Sequence, residues 1–135
     1  MKKLFCFLVG SFIFLSLKAQ DVKGSLAAVT LNLCQSWQLK YGISDSLKID
    51  MSGQGTVLCI FKTDESVLSV SNTNQQIIGN WYYDKKHHII NITKNYNHIM
   101  DVISLNGDEL IMSVNTENFT SEGPKRIRMV YKLKK

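Results

Sequence analysis

The sequence predicts an all-β protein: an antiparallel up-and-down β-barrel of about eight to ten strands, preceded by one short helix. Three observations predict it. Past residue 33 the hydrophobic residues recur at every second position, the side-chain period of a strand. The alternating runs are short and are separated by polar clusters rich in Gly, Asn, Asp and Ser, which mark turns. The clusters recur about every 8 to 12 residues, the spacing of a sandwich or barrel. The chain of 135 residues suits one domain, and no linker or repeat divides it.

Residues 1–20, "MKKLFCFLVGSFIFLSLKAQ", carry two lysines, an apolar run from Leu4 to Leu17 and a small residue at Ala19. This is the layout of a secretory signal peptide, with cleavage expected after Ala19 or Gln20. The run of about 14 residues is short for a membrane span, which takes roughly 20. A lipid anchor is not expected, because Cys6 precedes the apolar core and no cysteine stands at the cleavage site. The expected domain is 21–135, exported to the periplasm or beyond the cell, with outer-membrane association left open.

The leader also carries part of the charge. Its three lysines take the 16 Lys+Arg down to 13 against 11 Asp+Glu, so the formal charge falls from +5 to +2. No nucleic-acid partner is therefore expected. A local basic excess survives in "PKRIRMVYKLKK". It reads as a solvated outer face that discourages edge pairing, or as a contact for an envelope protein or acidic membrane surface.

"VKGSLAAVTLNL" at 22–33 is the helical stretch, with Leu26, Val29 and Leu33 at spacings of three and four. The strands follow in order: "SWQLKY", "LKIDM", "GTVLCIFK", "SVLSVS", "IIGNWYYD", "HHIINITK", "HIMDVISL", "ELIMSV" and "RIRMVYKLK". The last alternates most cleanly, with Ile127, Met129, Tyr131 and Leu133 on one face. With "KNYN" as the turn of one hairpin, Ile92 falls opposite Ile99 and Ile90 opposite Asp101. That face, with Ile103 and Leu105, is the more apolar and is expected inside, which puts Asp101 in the interior.

In "IIGNWYYD" the alternation sets Gly79 and Trp81 on one face. A glycine within a strand marks a bend or the close approach of another group. It either makes room for packing in a tightly curved barrel or stands beside an indole that lines a ligand cavity.

Three pieces together resemble the small secreted lipocalin-like proteins of bacteria, in the calycin group. They are "LCQSWQL" with Trp37, "GNWYYD" with Gly79, Trp81 and Asp84, and the hairpin "VISLNGDELIMSV". The resemblance spans residues 31 to 134 and departs from the family at Gln35, where a glycine is usual. It implies an antiparallel barrel open at one end, commonly holding a small apolar ligand.

No catalytic arrangement is found: no G-x-S-x-G elbow, no phosphate-binding glycine loop and no zinc spacing. His87 and His88 are neighbours, point to opposite faces of a strand and read as exposed turn residues; neither metal nor cofactor is expected. Cys34 and Cys59 either form a disulfide, worth roughly 3 kcal/mol, or are two small buried hydrophobes. The "DSL" at 45–47 reads as a modification site in a turn, while "NIT" and "NFT" carry little weight as glycan acceptors in a bacterium. The expected function is a binding module whose barrel takes a small hydrophobic or amphipathic molecule. Trp37, Phe61, Trp81, Asp101, Met112, Met129 and Tyr131 would line it, with Asp101 as the polar anchor beside Tyr131 or Tyr83. The alternative is an envelope interaction protein with a filled barrel.

Overall fold

Each run of alternating hydrophobicity becomes a strand, because only a folded sheet can bury one of its two faces. The computed structural model describes residues 22–44, 47–51, 55–72, 74–115 and 126–135. The expected leader, residues 1–20, together with most of "DSL", "NFT" and the start of the basic C-terminal segment, lies outside the described residues. The elements are α1 (Leu26–Leu33), β1 (Ser36–Ser44), β2 (Leu47–Asp50), β3 (Leu58–Phe61), β4 (Ser66–Val70), β5 (Gln75–Asp84), β6 (Ile89–Lys94), β7 (Asn97–Asn106), β8 (Glu109–Asn115) and β9 (Arg126–Leu133).

All paired strands are antiparallel neighbours in a meander, and β9 returns to β1 to close the sheet. Two of the nine segments share one place in the wall. β3 pairs with Ser36–Gln38 and β2 with Tyr41–Ser44, both on the same edge of β1. They are one interrupted strand, so the barrel is eight-stranded. Following Cα partners from Ile43 through Arg128, Ser113, Asp101 and Asn91 reaches Tyr82. That path leads from the far end of β1 to near the last residue of β5, so the strands are steeply staggered, as barrel closure requires.

One end of the barrel is capped. Gly24, at φ 118, keeps residues 22–25 out of the helix, and the Ser25 side chain caps α1 by accepting from Ala28 N at 3.2 Å. The helix turns Val29 and Leu33 into the core, and Val22 is buried beside them. Burying each of these aliphatic side chains is worth about 1.5–3 kcal/mol. Polar bonds fix the cap: Val22 N donates to His88 O at 3.1 Å, and the Tyr83 hydroxyl donates to Gly24 O at 2.8 Å.

The β6–β7 hairpin corrects the predicted register. Asn95 and Tyr96 form a two-residue turn with φ of 52° and 65°, so Lys94 pairs with Asn97 and Thr93 with His98. The ladder then shifts, leaving Ile99 as an extra residue, and resumes as Ile92 with Met100 and Ile90 with Val102. A bulge of one residue swaps the faces of all that follow. Val102 therefore faces the interior, and Asp101 turns outward opposite Asn91. Similar shifts occur between Leu39 and Tyr41, between Val67 and Leu68 at its partner β5, and between Val102 and Ser104. These bulges supply bends that a small closed barrel needs.

Gly79 sits at one of these shifts, paired with Val67. A Cβ there would lie 2.5 Å from the Thr93 carbonyl oxygen. The glycine is thus explained by the close approach of β6 at a bend, which is the packing reading of "IIGNWYYD".

Candidate binding site

The inward side chains change character along the barrel axis. Against α1 they are fully packed. Trp37, Phe61, Trp81, Met112 and Tyr131 belong to one buried cluster with Ile90, Ile92, Val102 and Leu110. Each indole is held by a carbonyl: Trp37 Nε1 donates to Leu33 O at 3.0 Å, and Trp81 Nε1 donates to Lys62 O at 2.8 Å. The first bond ties the end of α1 to β1, and the second ties β5 to the β3–β4 turn. These two rings form the floor of the barrel, not its upper walls.

Met129 packs on the upper side of this cluster and is only half-buried. By strand alternation Ile49, Ser69, Met100, Val114 and Ile127 also face inward, and all are half-buried. Gln76, opposite Ser69, is exposed. Inward side chains of a closed barrel become accessible toward an end that is incompletely filled, so this half, the cup, is less closely packed than the floor. Sequence reasoning placed Ile127 on the same face as Met129 and Tyr131 but missed the rest of the rim. The missed signal was the alternation itself, in residues without aromatic rings.

Asp101, expected on the inner face, lies on the outer one, opposite Asn91. Its carboxylate is buried on the outer face of β7, 2.6 Å from His98 Nε2. It approaches neither predicted partner: Tyr83 is bonded to Gly24, and Tyr131 faces inward. The cause is the Ile99 bulge.

With Asp101 outside, the inner walls carry no charged side chain among the described residues. Lys94 has inward parity but sits exposed at the tip of its hairpin. Outside, Arg126 and Arg128 are exposed on β9, and Lys132 pairs with Glu109 at 2.7 Å. His87 lies in the β5–β6 turn, 2.7 Å from Asp84, whose carboxyl this contact holds below the usual range. His88 is exposed in the same turn.

The buried polar groups inside are neutral. Burial pushes the Tyr131 phenol well above its ordinary value, with the nearby Cys59 adding to the effect. Burial also pushes the Cys59 thiol up to about 12. Cys34, half-buried at the end of α1, is raised first by desolvation and then by Asp64. Both cysteines are free. Cys59 lies in β3 opposite Trp37, whereas Cys34 precedes β1 as the C-cap of α1, and the two stand as separate thiols.

A concavity lies outside the barrel. It is a shallow apolar groove of about 770 Å³ lined by Leu26, Ala27, Thr30, Leu31, Cys34 and Thr63. It follows the exposed side of α1, where Leu31 is 76% accessible, and brings no polar group to a focus. Toward the open end Ser69 and Gln76 add neutral polar groups to apolar walls, and the Tyr131 hydroxyl lies below them in the packed cluster; a few polar groups among apolar ones is the composition expected of a small-molecule site. No known protein family, curated protein or solved structure matches the chain.

Proposed function

We propose that this protein is an exported, lipocalin-like binding module that takes a small hydrophobic or amphipathic molecule into the open half of its barrel and performs no catalysis. The observation that carries the reading is the gradient of burial along the inner face. Leu110 and Met112 are 0% and 1% accessible, whereas Val114, next on the same face of β8, is half-buried. A barrel built only to be filled has no need of an apolar inner face that meets water. Covering that face with a ligand would contribute about 25 cal/mol per Å² of apolar surface. The leader pattern of residues 1–20 supports export.

Saturable binding of Nile red to the folded protein, displaced by a long-chain alcohol and accompanied by quenching of Trp37 and Trp81, is the expected result. Absence of binding would favour the alternative role, a filled barrel that docks an envelope partner. That role would draw on the exposed Arg126 and Arg128. Mass measurement of the mature chain tests export separately: removal of residues 1–19 or 1–20 is expected, and an intact N-terminus in the exported fraction contradicts it.

A further inference from the structure

The Tyr131 side chain is 5% accessible, yet its hydroxyl reaches, among the described residues, only the Met129 sulfur at 4.0 Å. A thioether is a weak acceptor, and a buried hydroxyl ordinarily holds a good hydrogen-bond partner. Tyr131 lies on the inner face, paired with Leu39 and Leu110, at the top of the packed floor. Met129, the next inward residue of β9, is the first half-buried one above it. The under-satisfied hydroxyl therefore sits where the floor meets the cup.

The surroundings restrict what meets it. The described inner walls hold no cation to neutralise an acid and no carboxylate to hold an amine. An ionised group brought there would be desolvated without a counter-charge, at far greater cost than a neutral polar group. Tyr131 stays protonated under the same burial, so it offers one O–H donor and an acceptor oxygen. Met129 meets the hydroxyl, and Leu39 and Leu110 flank Tyr131 in the ladder, an apolar setting that suits a hydrocarbon body.

We infer that the barrel selects uncharged lipophiles carrying one hydroxyl or carbonyl group, and that the Tyr131 hydroxyl is the anchor that receives that group. This rests on the cup reading above and narrows it to a ligand class. Long-chain carboxylates and cationic amphiphiles are excluded by the same walls that admit an alcohol, ketone or ester of similar length.

The test uses the full mature chain and separates the two levels. Diphenylhexatriene, a hydrocarbon without polar atoms, reports entry into the cup by its fluorescence. 1-Hexadecanol, methyl palmitate and palmitate then compete against it at pH 8. The two neutral competitors are expected to bind at least about tenfold more tightly than palmitate. Tyr131→Phe is expected to weaken hexadecanol by about threefold to tenfold, the worth of one neutral hydrogen bond, while diphenylhexatriene binds unchanged and so confirms the fold. Palmitate competing as well as hexadecanol would overturn the selection of neutral ligands while leaving the cup intact. A Tyr131→Phe protein that binds hexadecanol normally, or loses diphenylhexatriene as well, would overturn the anchor. Failure of diphenylhexatriene to bind the wild-type protein would remove the cup itself, and this inference with it.

Discussion

Gly79→Ala is expected to destabilise the barrel, although the change removes a flexible residue from a strand. The added Cβ would lie 2.5 Å from the Thr93 carbonyl oxygen and 3.3 Å from Ile92 Cγ2. The nearer atom is backbone of β6, held in the ladder that pairs Asn80 with Thr93 and Trp81 with Ile92. Relief therefore requires the two strands to part. Overpacking an interior costs about 1–3 kcal/mol, and restricting the unfolded chain returns about 0.4–1 kcal/mol. A clash with backbone belongs at the upper end of the first range, so the net loss is about 2 kcal/mol. For a domain of this length that lowers Tm by about 8 °C. Thermal and urea unfolding followed by tryptophan fluorescence measure it, with Gly42→Ala as the matched control. There the nearest atom is the terminal methyl of Met51 at 3.0 Å, which can swing aside, so the change should stay within about 1 kcal/mol. A Gly79→Ala protein as stable as the parent would refute the close approach of β6 as the reason for the glycine.

Three further outcomes are expected. Trp37→Phe and Trp81→Phe remove the donors to Leu33 O and Lys62 O, and each should cost about 1–3 kcal/mol in urea unfolding; a loss below about 0.5 kcal/mol would mean the indole bonds do not fix the floor. Native thiol titration at pH 8 should modify Cys34 slowly and Cys59 only on unfolding, because burial raises both and encloses the second; rapid modification of both in the folded protein would contradict the packed floor. Bonds from the Ser66 hydroxyl and backbone hold the Asp64 carboxyl below its usual range. Its contribution is thus present above the unfolded carboxylate pKa, near about 4, and is lost as pH falls through the lower folded value. Asp64→Asn should flatten that acid-side decline in midpoint temperature; an unchanged slope would show that the Ser66 contacts do not matter.

The strands were legible because burial of one sheet face imposes a period of two, and every alternating run in the sequence became part of the wall. The short helix was legible from Leu26, Val29 and Leu33, although Leu26 proved exposed while Val22 was drawn into the core. The bulges were not legible. A bulge is a property of closure between two strands, and nothing distinguishes Ile99 from its neighbours until β6 and β7 are curved together. That single shift carried Asp101 from a predicted interior anchor to the outer face. The site was legible in part for a related reason. Trp37, Phe61, Trp81 and Met112 are buried in the core cluster, but which end of the barrel α1 closes depends on docking of residues 22–33, which sequence alternation does not reveal. The polar group left at the floor, Tyr131, stood among the predicted lining residues, and its lack of a good partner emerged only from the packed structure.

The sharpest test of a barrel closed at one end and open at the other compares two inward positions on neighbouring strands. In a Cys34→Ser, Cys59→Ala background, Ile127→Cys near the rim and Leu110→Cys at the floor are treated with a small uncharged maleimide under native conditions. Ile127→Cys is expected to react in the folded protein, and Leu110→Cys only at the rate of global unfolding. Equal rates at the two positions, whether both fast or both slow, would contradict the cup.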